Sequence, residues 1–527
     1  MSPGAALVYN FITLSVYSAS QELLYGPALY LFPGAEIGLA CLSGAVVLVF
    51  MMTYYSILAS AMPRSGGDYI YQSRILGPGI GFTLTFSTWV VWQFFYLGWY
   101  GFQFASMGLS PFLVFAGVYG NQPGLISLAS WFMTPDGMML LTAVVMIAAL
   151  LISIKGMRFY VKALYAMVIC VGSGALILAI LPLTITHATF VANFNTVMST
   201  FAPNIPNFYN YVMDSAKGAS VNLSPQFSWG STISTWSYCW FIFPYAIWSS
   251  NNMGEIKSAN NLKAVFMQMF PALLLTAIYW AALYYVLSYG MGKDFLTAIG
   301  YIAYALPDAA KYFPITPFYT FLVGFSTNNL PLLFWALVVG VFFNVVGVAS
   351  TILMGTTRAM FAMSFDRILP EKFAYIERKT RAPIVAMIVL VIGGLFFGYL
   401  INYRADIVGP YFASLTLGMI PTFVGSSIAA IVFPYRAKRI FEQAPGAKYR
   451  IAGVPLVVVA GIGGLIVNAI MAYYFLTVPA LGFLVPASEA VVGGVYALTL
   501  VYYLIVRAYR KREGIDLALA FQDVPPE

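Results

Sequence analysis

Glu22 is the residue with the clearest capacity for chemistry in this 527-residue chain, because it lies inside an apolar run long enough to cross a bilayer. An ionised carboxylate in a membrane costs several kcal/mol or neutralises by taking up a proton. Gln21 beside it widens the polar patch. Two roles fit: proton coupling or capture of a substrate amine, and a hydrogen-bonded structural carboxylate near the outer water. The turn Pro63-Arg64-Ser65-Gly66-Gly67-Asp68 is the second informative group. Pro63 ends a helix, Gly66 and Gly67 permit the positive φ of a tight reversal, and Asp68 is placed to cap the next helix. Other chemistry is thin. His187 is the only histidine and is expected to be uninvolved, and Cys41, Cys170 and Cys239 lack metal-ligand spacing. No paired aspartates or His-Glu metal motif is present, so an intramembrane enzyme has no constellation to work with. Neither a cofactor nor a metal is expected.

The elements that position these residues follow from composition. Charged residues make up 8% of the chain and apolar residues 61%, against about a quarter charged in a soluble domain. A bilayer core of about 30 Å needs roughly 20 apolar residues per helix. Such runs predict twelve spans, at 5–30, 36–62, 79–108, 137–155, 159–183, 230–253, 263–290, 330–363, 383–401, 407–433, 454–477 and 486–508. The first lacks a basic segment and a cleavage site and reads as a retained span. The stretch from Ser110 to Met133, interrupted by prolines and glycines, is expected to be an outer loop. Basic residues test this topology, since they accumulate on cytoplasmic loops. With both termini inside, only Lys217, Lys293, Lys311 and Arg404 of the 26 basic residues fall outside. The net charge of +8 then reflects orientation in a cytoplasmic membrane, with lipid as the surroundings and no nucleic acid as partner.

Three motifs recur in an order that resembles one family. Ser60-Ala61-Met62-Pro63-Arg64-Ser65-Gly66-Gly67-Asp68-Tyr69-Ile70-Tyr71, followed by Leu76-Gly77-Pro78, is similar to the loop after the second helix of the amino acid-polyamine-organocation (APC) superfamily. Gly254-Glu255-Ile256-Lys257 resembles its acidic signature after helix six. Thr357 to Met363 with Asp366-Arg367-Ile368-Leu369-Pro370 resembles its exit from helix eight. The resemblance covers residues 5–433 clearly and the rest by helix count. It implies an all-α LeuT-type fold: a first repeat of helices one to five at 1–183, an outer loop at 184–229, and a second, inverted repeat of helices six to ten at 230–433. Helices eleven and twelve and a short tail fill 434–527. It also implies a secondary transporter of amino acids or related organic amines working by alternating access. A membrane-embedded solute sensor of the same fold is the alternative, though the tail after Arg512 is short for a signalling domain.

In such a fold helices one and six are broken at the midplane, where freed amides and carbonyls hold ligand and ion. The corresponding segments here are Ser15-Val16-Tyr17-Ser18-Ala19-Ser20 and Phe241-Ile242-Phe243-Pro244-Tyr245-Ala246. Neither contains the glycine common in related permeases. Hydroxyls at Ser18 and Ser20 offer partners to unwound backbone, and Pro244 removes a donor. Tyr17, Ser18, Ala19, Ser20, Trp240, Phe243, Pro244 and Tyr245 are therefore the candidate substrate residues. Trp240, Phe243 and Tyr245 form the lid, Trp89, Trp92 and Gln93 the opposite wall, and Asn344 adds a polar contact or a helix-helix bond. Glu255 is expected in an inner-face ion pair or latch. Coupling to H⁺ or Na⁺ has three candidates: Glu22, and the adjacent hydroxyls Ser350 and Thr351, which resemble a sodium-ligating pair but also suit bonds to their own helix. We predict that Glu22→Gln preserves insertion and fold yet flattens the pH dependence of uptake into proteoliposomes. A mutant whose pH profile and substrate affinity match the parent would make Glu22 structural.

Overall fold

The computed structural model describes residues 1–17, 20, 27–478, 481, 486–517 and 521, and the side chains of all of these but 27 and 410–416. Ser18, Ala19 and Glu22 lie outside the described residues. Ten helices among those described are long and apolar enough to cross a membrane. In chain order the principal elements are α1 (Pro3–Thr13), α2 (Pro27–Leu31), α3 (Ile37–Ala61), α4 (Asp68–Ile75), α5 (Pro78–Tyr119), α6 (Pro123–Phe132), α7 (Pro135–Ser153), α8 (Met157–Thr184), α9 (His187–Met198) and α10 (Phe208–Gly218). They continue with α11 (Trp229–Ser234), α12 (Trp236–Trp240), α13 (Leu262–Met291), α14 (Lys293–Ala305), α15 (Tyr319–Gly324), α16 (Leu330–Phe365), α17 (Ile384–Tyr403), α18 (Ala405–Arg436), α19 (Leu456–Thr477) and α20 (Pro486–Arg512). A two-residue hairpin pairs Ile451 with Val454 ahead of α19.

The long helices are apolar on every side, as a lipid solvent requires. On α8, Ile169, Leu176 and Ile180 face outward while Leu164, Met167, Val171 and Leu178 are buried against neighbours. Because lipid offers no hydrophobic drive for helices to associate, close packing through small residues does that work. Gly98 of α5 meets α17 so closely that a methyl added there would lie 2.5 Å from the Gly398 nitrogen.

Two expectations about organisation change. The stretch 110–133 is not a loop: α5 continues through it to Tyr119, and α6 follows. Pro111 is accommodated because the turn before it, Ala105–Leu109, is a wide π turn, which absorbs the amide that proline lacks. α6 has 10 residues, about 15 Å of rise, too short to add a crossing. The segment 184–229, expected as an outer loop, likewise contains two helices, α9 and α10.

Interruptions occur where the first and sixth spans were expected to break. α1 starts well, with Ser2 accepting from the Ala5 amide at 3.2 Å and proline in the first turn. It stops at Thr13, and Ser15 takes a φ of +47°. In the sixth span α-helical bonding ends with Trp240. Phe241 and Ile242 form the turn, and Phe243–Asn251 is a 3-10 helix. The break therefore lies ahead of Phe243-Pro244-Tyr245, not within it. Pro244 sits in the first turn of the new helix, where a missing N–H leaves no partner short.

The glycine-rich turn docks on the end of that 3-10 helix. The Gly66 amide donates to the Asn251 carbonyl at 3.0 Å. Gly67 has φ +50° and ψ −125°, a region closed to side chains. A methyl there would collide with Asn251 Oδ1 and lie 3.0 Å from the Ser250 hydroxyl. Gly67→Ala is expected to cost at least about 2 kcal/mol from the combined strain and overlap. Thermal unfolding of the purified variant checks this, and an unchanged melting temperature would contradict it.

Candidate functional site

The two interrupted segments are joined through one side chain. Trp280, on α13 and fully buried, donates its indole N–H to the Val16 carbonyl at 3.0 Å. Its ring packs on Phe243 with centroids 5.1 Å apart. The rest of the unwound backbone is held in the same way. Asn344 of α16 accepts from the Tyr17 amide at 3.4 Å and donates to the Ser15 hydroxyl at 3.2 Å. The Tyr17 carbonyl accepts from Tyr319 of α15 at 3.4 Å and from the Ser20 hydroxyl at 3.1 Å. The Tyr17 side chain turns away from the sixth span and donates to the Ala336 carbonyl of α16.

Beside this junction lies an aromatic cluster from α5, the sixth span and α18. Tyr245 lies edge-on to Trp89 at 6.0 Å and to Tyr96 at 6.2 Å, and its hydroxyl reaches Met419 Sδ at 2.7 Å. Trp240 packs on Phe423 at 5.3 Å, and Trp89 on the same ring at 5.7 Å. Two buried polar atoms here, Gln93 Oε1 and Trp240 Nε1, have no hydrogen-bond partner among the described residues. One accepts and one donates, which is the pair of functions that an ammonium and a carboxylate require. Of the expected opposite wall, Trp89 and Gln93 are present, whereas Trp92 packs elsewhere, against Phe95, Val408 and Val492.

Ser350 and Thr351 each donate to a carbonyl of their own helix, Gly347 at 2.7 Å and Val348 at 2.8 Å. Tyr160 of α8 lies 3.4 Å from the Ser350 hydroxyl. The Thr351 carbonyl accepts twice, from Tyr9 of α1 and from Trp248 of the 3-10 helix, both at 2.8 Å. Asn10 of α1 ties the same region together: its Oδ1 accepts from the Ser249 amide at 2.7 Å and its Nδ2 donates to the Gln268 carbonyl at 2.7 Å.

Charged groups gather at the end of the molecule where Ser65 bridges to Asn252. Glu255 pairs with Arg358 of α16 at 2.9 Å, as an ion pair was expected, with Arg358 as the partner. Asp366 receives Arg74 through two bonds of 2.7 and 2.9 Å and the Tyr69 hydroxyl at 2.6 Å, with both charges nearly fully buried. Asp68 is not a helix cap. Gly67 holds that position, and the Asp68 side chain turns inward to three donors, Tyr55, Trp89 and Ser426. His187 lies at the exposed far side, near Tyr209. The described residues contain no group of His, Cys, Asp and Glu able to hold a metal.

A family model described as amino acid permease matches residues 5–506. The chain belongs to the amino acid permease family. It is thus a multi-pass integral membrane transporter of the APC superfamily. No curated protein sequence matches this permease. Solved structures similar to it include MhsT in complex with L-phenylalanine, at 13% identity over 88% of the permease and 98% of the MhsT chain, with a TM-score of 0.49.

Sequence reasoning missed Trp280, Tyr319 and Asn10 in the permease. A tryptophan and a tyrosine in apolar runs carry no signal of what they bond, but an asparagine buried in the first span was a readable one. Trp280→Phe keeps the ring on Phe243 and strips the Val16 carbonyl of its donor. It is expected to destabilise the permease by about 1–3 kcal/mol, read as a lower melting temperature. No change would mean that the Val16 carbonyl has another partner.

Proposed function

We propose that the permease is a secondary active transporter that carries amino acids or related organic amines by alternating access. The observation that supports this best is the junction of the two interrupted segments through Trp280, beside a buried cluster with one free acceptor, Gln93 Oε1, and one free donor, Trp240 Nε1. An ammonium suits the first and a carboxylate the second, and the surrounding rings of Tyr245, Trp89 and Phe423 suit an apolar or aromatic side chain. Tyr17 contributes backbone, while Phe243 and Pro244 set the angle at which Tyr245 enters.

The reading extends to a LeuT-type arrangement of twelve spans, in which the ten long helices are joined by the interrupted first and sixth. Two inverted repeats of five, at 1–183 and 230–433, would make rocking of one bundle against the other the transport step. The positions of the basic residues favour both termini in the cytoplasm, which makes the end carrying Ser65, Asn252 and the Arg74–Asp366 and Arg358–Glu255 ion pairs the cytoplasmic one. Backbone bonds and ion pairs tie the elements of that end together.

For coupling, Ser350 and Thr351 remain the sodium candidates, since each hydroxyl that donates to its own helix still has lone pairs for a cation. Purified permease should gain melting temperature with at least one amino acid, by about 2.7 kcal/mol of linkage at a hundred times Kd, and should accumulate that compound in proteoliposomes. A screen of amino acids, polyamines and organic cations that yields neither binding nor uptake would defeat the proposal. Ser350→Ala with Thr351→Ala is expected to abolish any sodium dependence of uptake while leaving the fold intact. Uptake that ignores sodium in the unmutated permease would remove these two residues from consideration.

A further inference from the structure

We propose that Asp68 is a proton-binding site. Its carboxyl takes up a proton while the cytoplasmic end is closed, as it is here, and returns it to water when the turn carrying it parts from the sixth span. The inference rests on the transporter reading above for its cycle of closed and open states.

The geometry is that of an acid with no counter-ion. Asp68 is fully buried. Its oxygens accept from the Tyr55 hydroxyl of α3 at 2.5 Å, from the Trp89 indole of α5 at 2.9 Å, and from the Ser426 hydroxyl of α18. Tyr54 of α3 and Tyr71 of its own helix are the other titratable groups that face it. The charges on packed elements are engaged elsewhere: Arg74 with Asp366, and Arg358 of α16 with Glu255. From α18, Thr422 and Ser426 present hydroxyls. Three neutral donors surround the carboxyl, and none of them brings a compensating positive charge. A buried charge without a partner is relieved most cheaply by neutralisation. Burial pushes the Asp68 carboxyl up, the bonds from Ser426, Tyr55 and Trp89 pull it down, and the balance stands at about 6.

The site is wired to the moving parts. Trp89 sits in a π turn, Ser87–Val91, which aims its indole at Asp68. Its ring lies edge-on to Trp248 at 5.0 Å and to Tyr245 at 6.0 Å, both in the 3-10 helix of the sixth span. Gly66 and Gly67, immediately before Asp68, rest on Asn251 and Ser250 of the same helix. Withdrawal of that helix takes support from Trp89 and from the turn before Asp68, which lets water reach the carboxyl and restores an ordinary aspartate. The reaction adds a proton to one carboxylate oxygen and makes or breaks no other covalent bond.

The sign follows. Because the carboxyl is raised in the closed state, protonation favours closure: the advantage is complete below about pH 4 and is lost as pH rises through about 6. A shift from 3.8 to about 6 corresponds to a change of roughly a hundredfold in the ratio of closed to open.

Infrared titration of the full-length permease in proteoliposomes tests this without any substrate. The expected result is a protonated-carboxyl absorption with a midpoint near pH 6, absent in Asp68→Asn. Tyr55→Phe, which deletes one donor to the charged form, should raise the midpoint by roughly one pH unit. It also serves if Asp68→Asn does not fold. In a background lacking Cys41, Cys170 and Cys239, alkylation of Ser65→Cys, divided by the thiolate fraction at each pH, should quicken as pH rises through 6, and be slow and flat with Asp68→Asn added. A band that survives Asp68→Asn, a midpoint unmoved by Tyr55→Phe, or alkylation with the parent's pH profile in the variant overturns the proposal. A permease that transports amino acids can fail this test, and one that transports none can pass it.

Discussion

Backbone amides and carbonyls inside a membrane have no water to fall back on, and the architecture turns on that constraint. Once α1 stops at Thr13, the groups from Ser15 to Tyr17 need partners that a helix no longer supplies. Asn344, Trp280 and Tyr319 provide them from three separate helices. The interruption is therefore held by tertiary contacts, and α13, α15 and α16 are fixed relative to it. The sixth span is held by the same logic. The Ser249 amide is met by Asn10, and the Trp248 indole and the Tyr9 hydroxyl converge on the Thr351 carbonyl. Each bond crosses from one broken span to an intact helix or to the other broken span, so neither can move without exchanging partners.

The end that carries Ser65 and Asn252 uses charge where the middle uses amides. A buried ion pair adds little to net stability once desolvation is counted, but losing one partner leaves a costly charge behind. Arg74 with Asp366 joins α4 to the end of α16, and Arg358 with Glu255 joins α16 to the end of the sixth span. Water reaching such a pair would solvate both members and recover the desolvation cost. The N-terminal amine of Met1 adds a short bond to the Glu255 carbonyl, and the Lys257 amide donates back to Met1 at 2.8 Å. The start of the chain thus closes over the same seam.

Much of this was readable from the sequence where periodicity and composition speak directly. The ten long helices fall at expected runs, and the mid-span hydroxyls and Pro244 marked both interruptions to within a few residues. The reading failed where side chains settle the matter. Pro111 suggested a loop because a proline in an α-helix removes a bond, and only a π turn before it makes the helix continuous. Asp68 followed a reversal and resembled a cap, yet Tyr55 and Ser426, distant in sequence, draw it inward. The missing glycines at the breaks carried a second lesson. Ser15 takes the left-handed φ itself, with its hydroxyl accepting from Asn344 to hold it there.

That single dihedral also limits how this protein can drift. The left-handed region admits glycine freely and asparagine or aspartate at small cost, while β-branched side chains are excluded. Position 15 is therefore open to exchange among small polar residues and glycine, and closed to valine, isoleucine and threonine despite the lipid-like setting that would otherwise welcome them. A lineage could pass between serine and glycine at this site without altering the path of the chain. Serine meets here, with one bond from Asn344 to its hydroxyl, a geometric demand that glycine would meet with none.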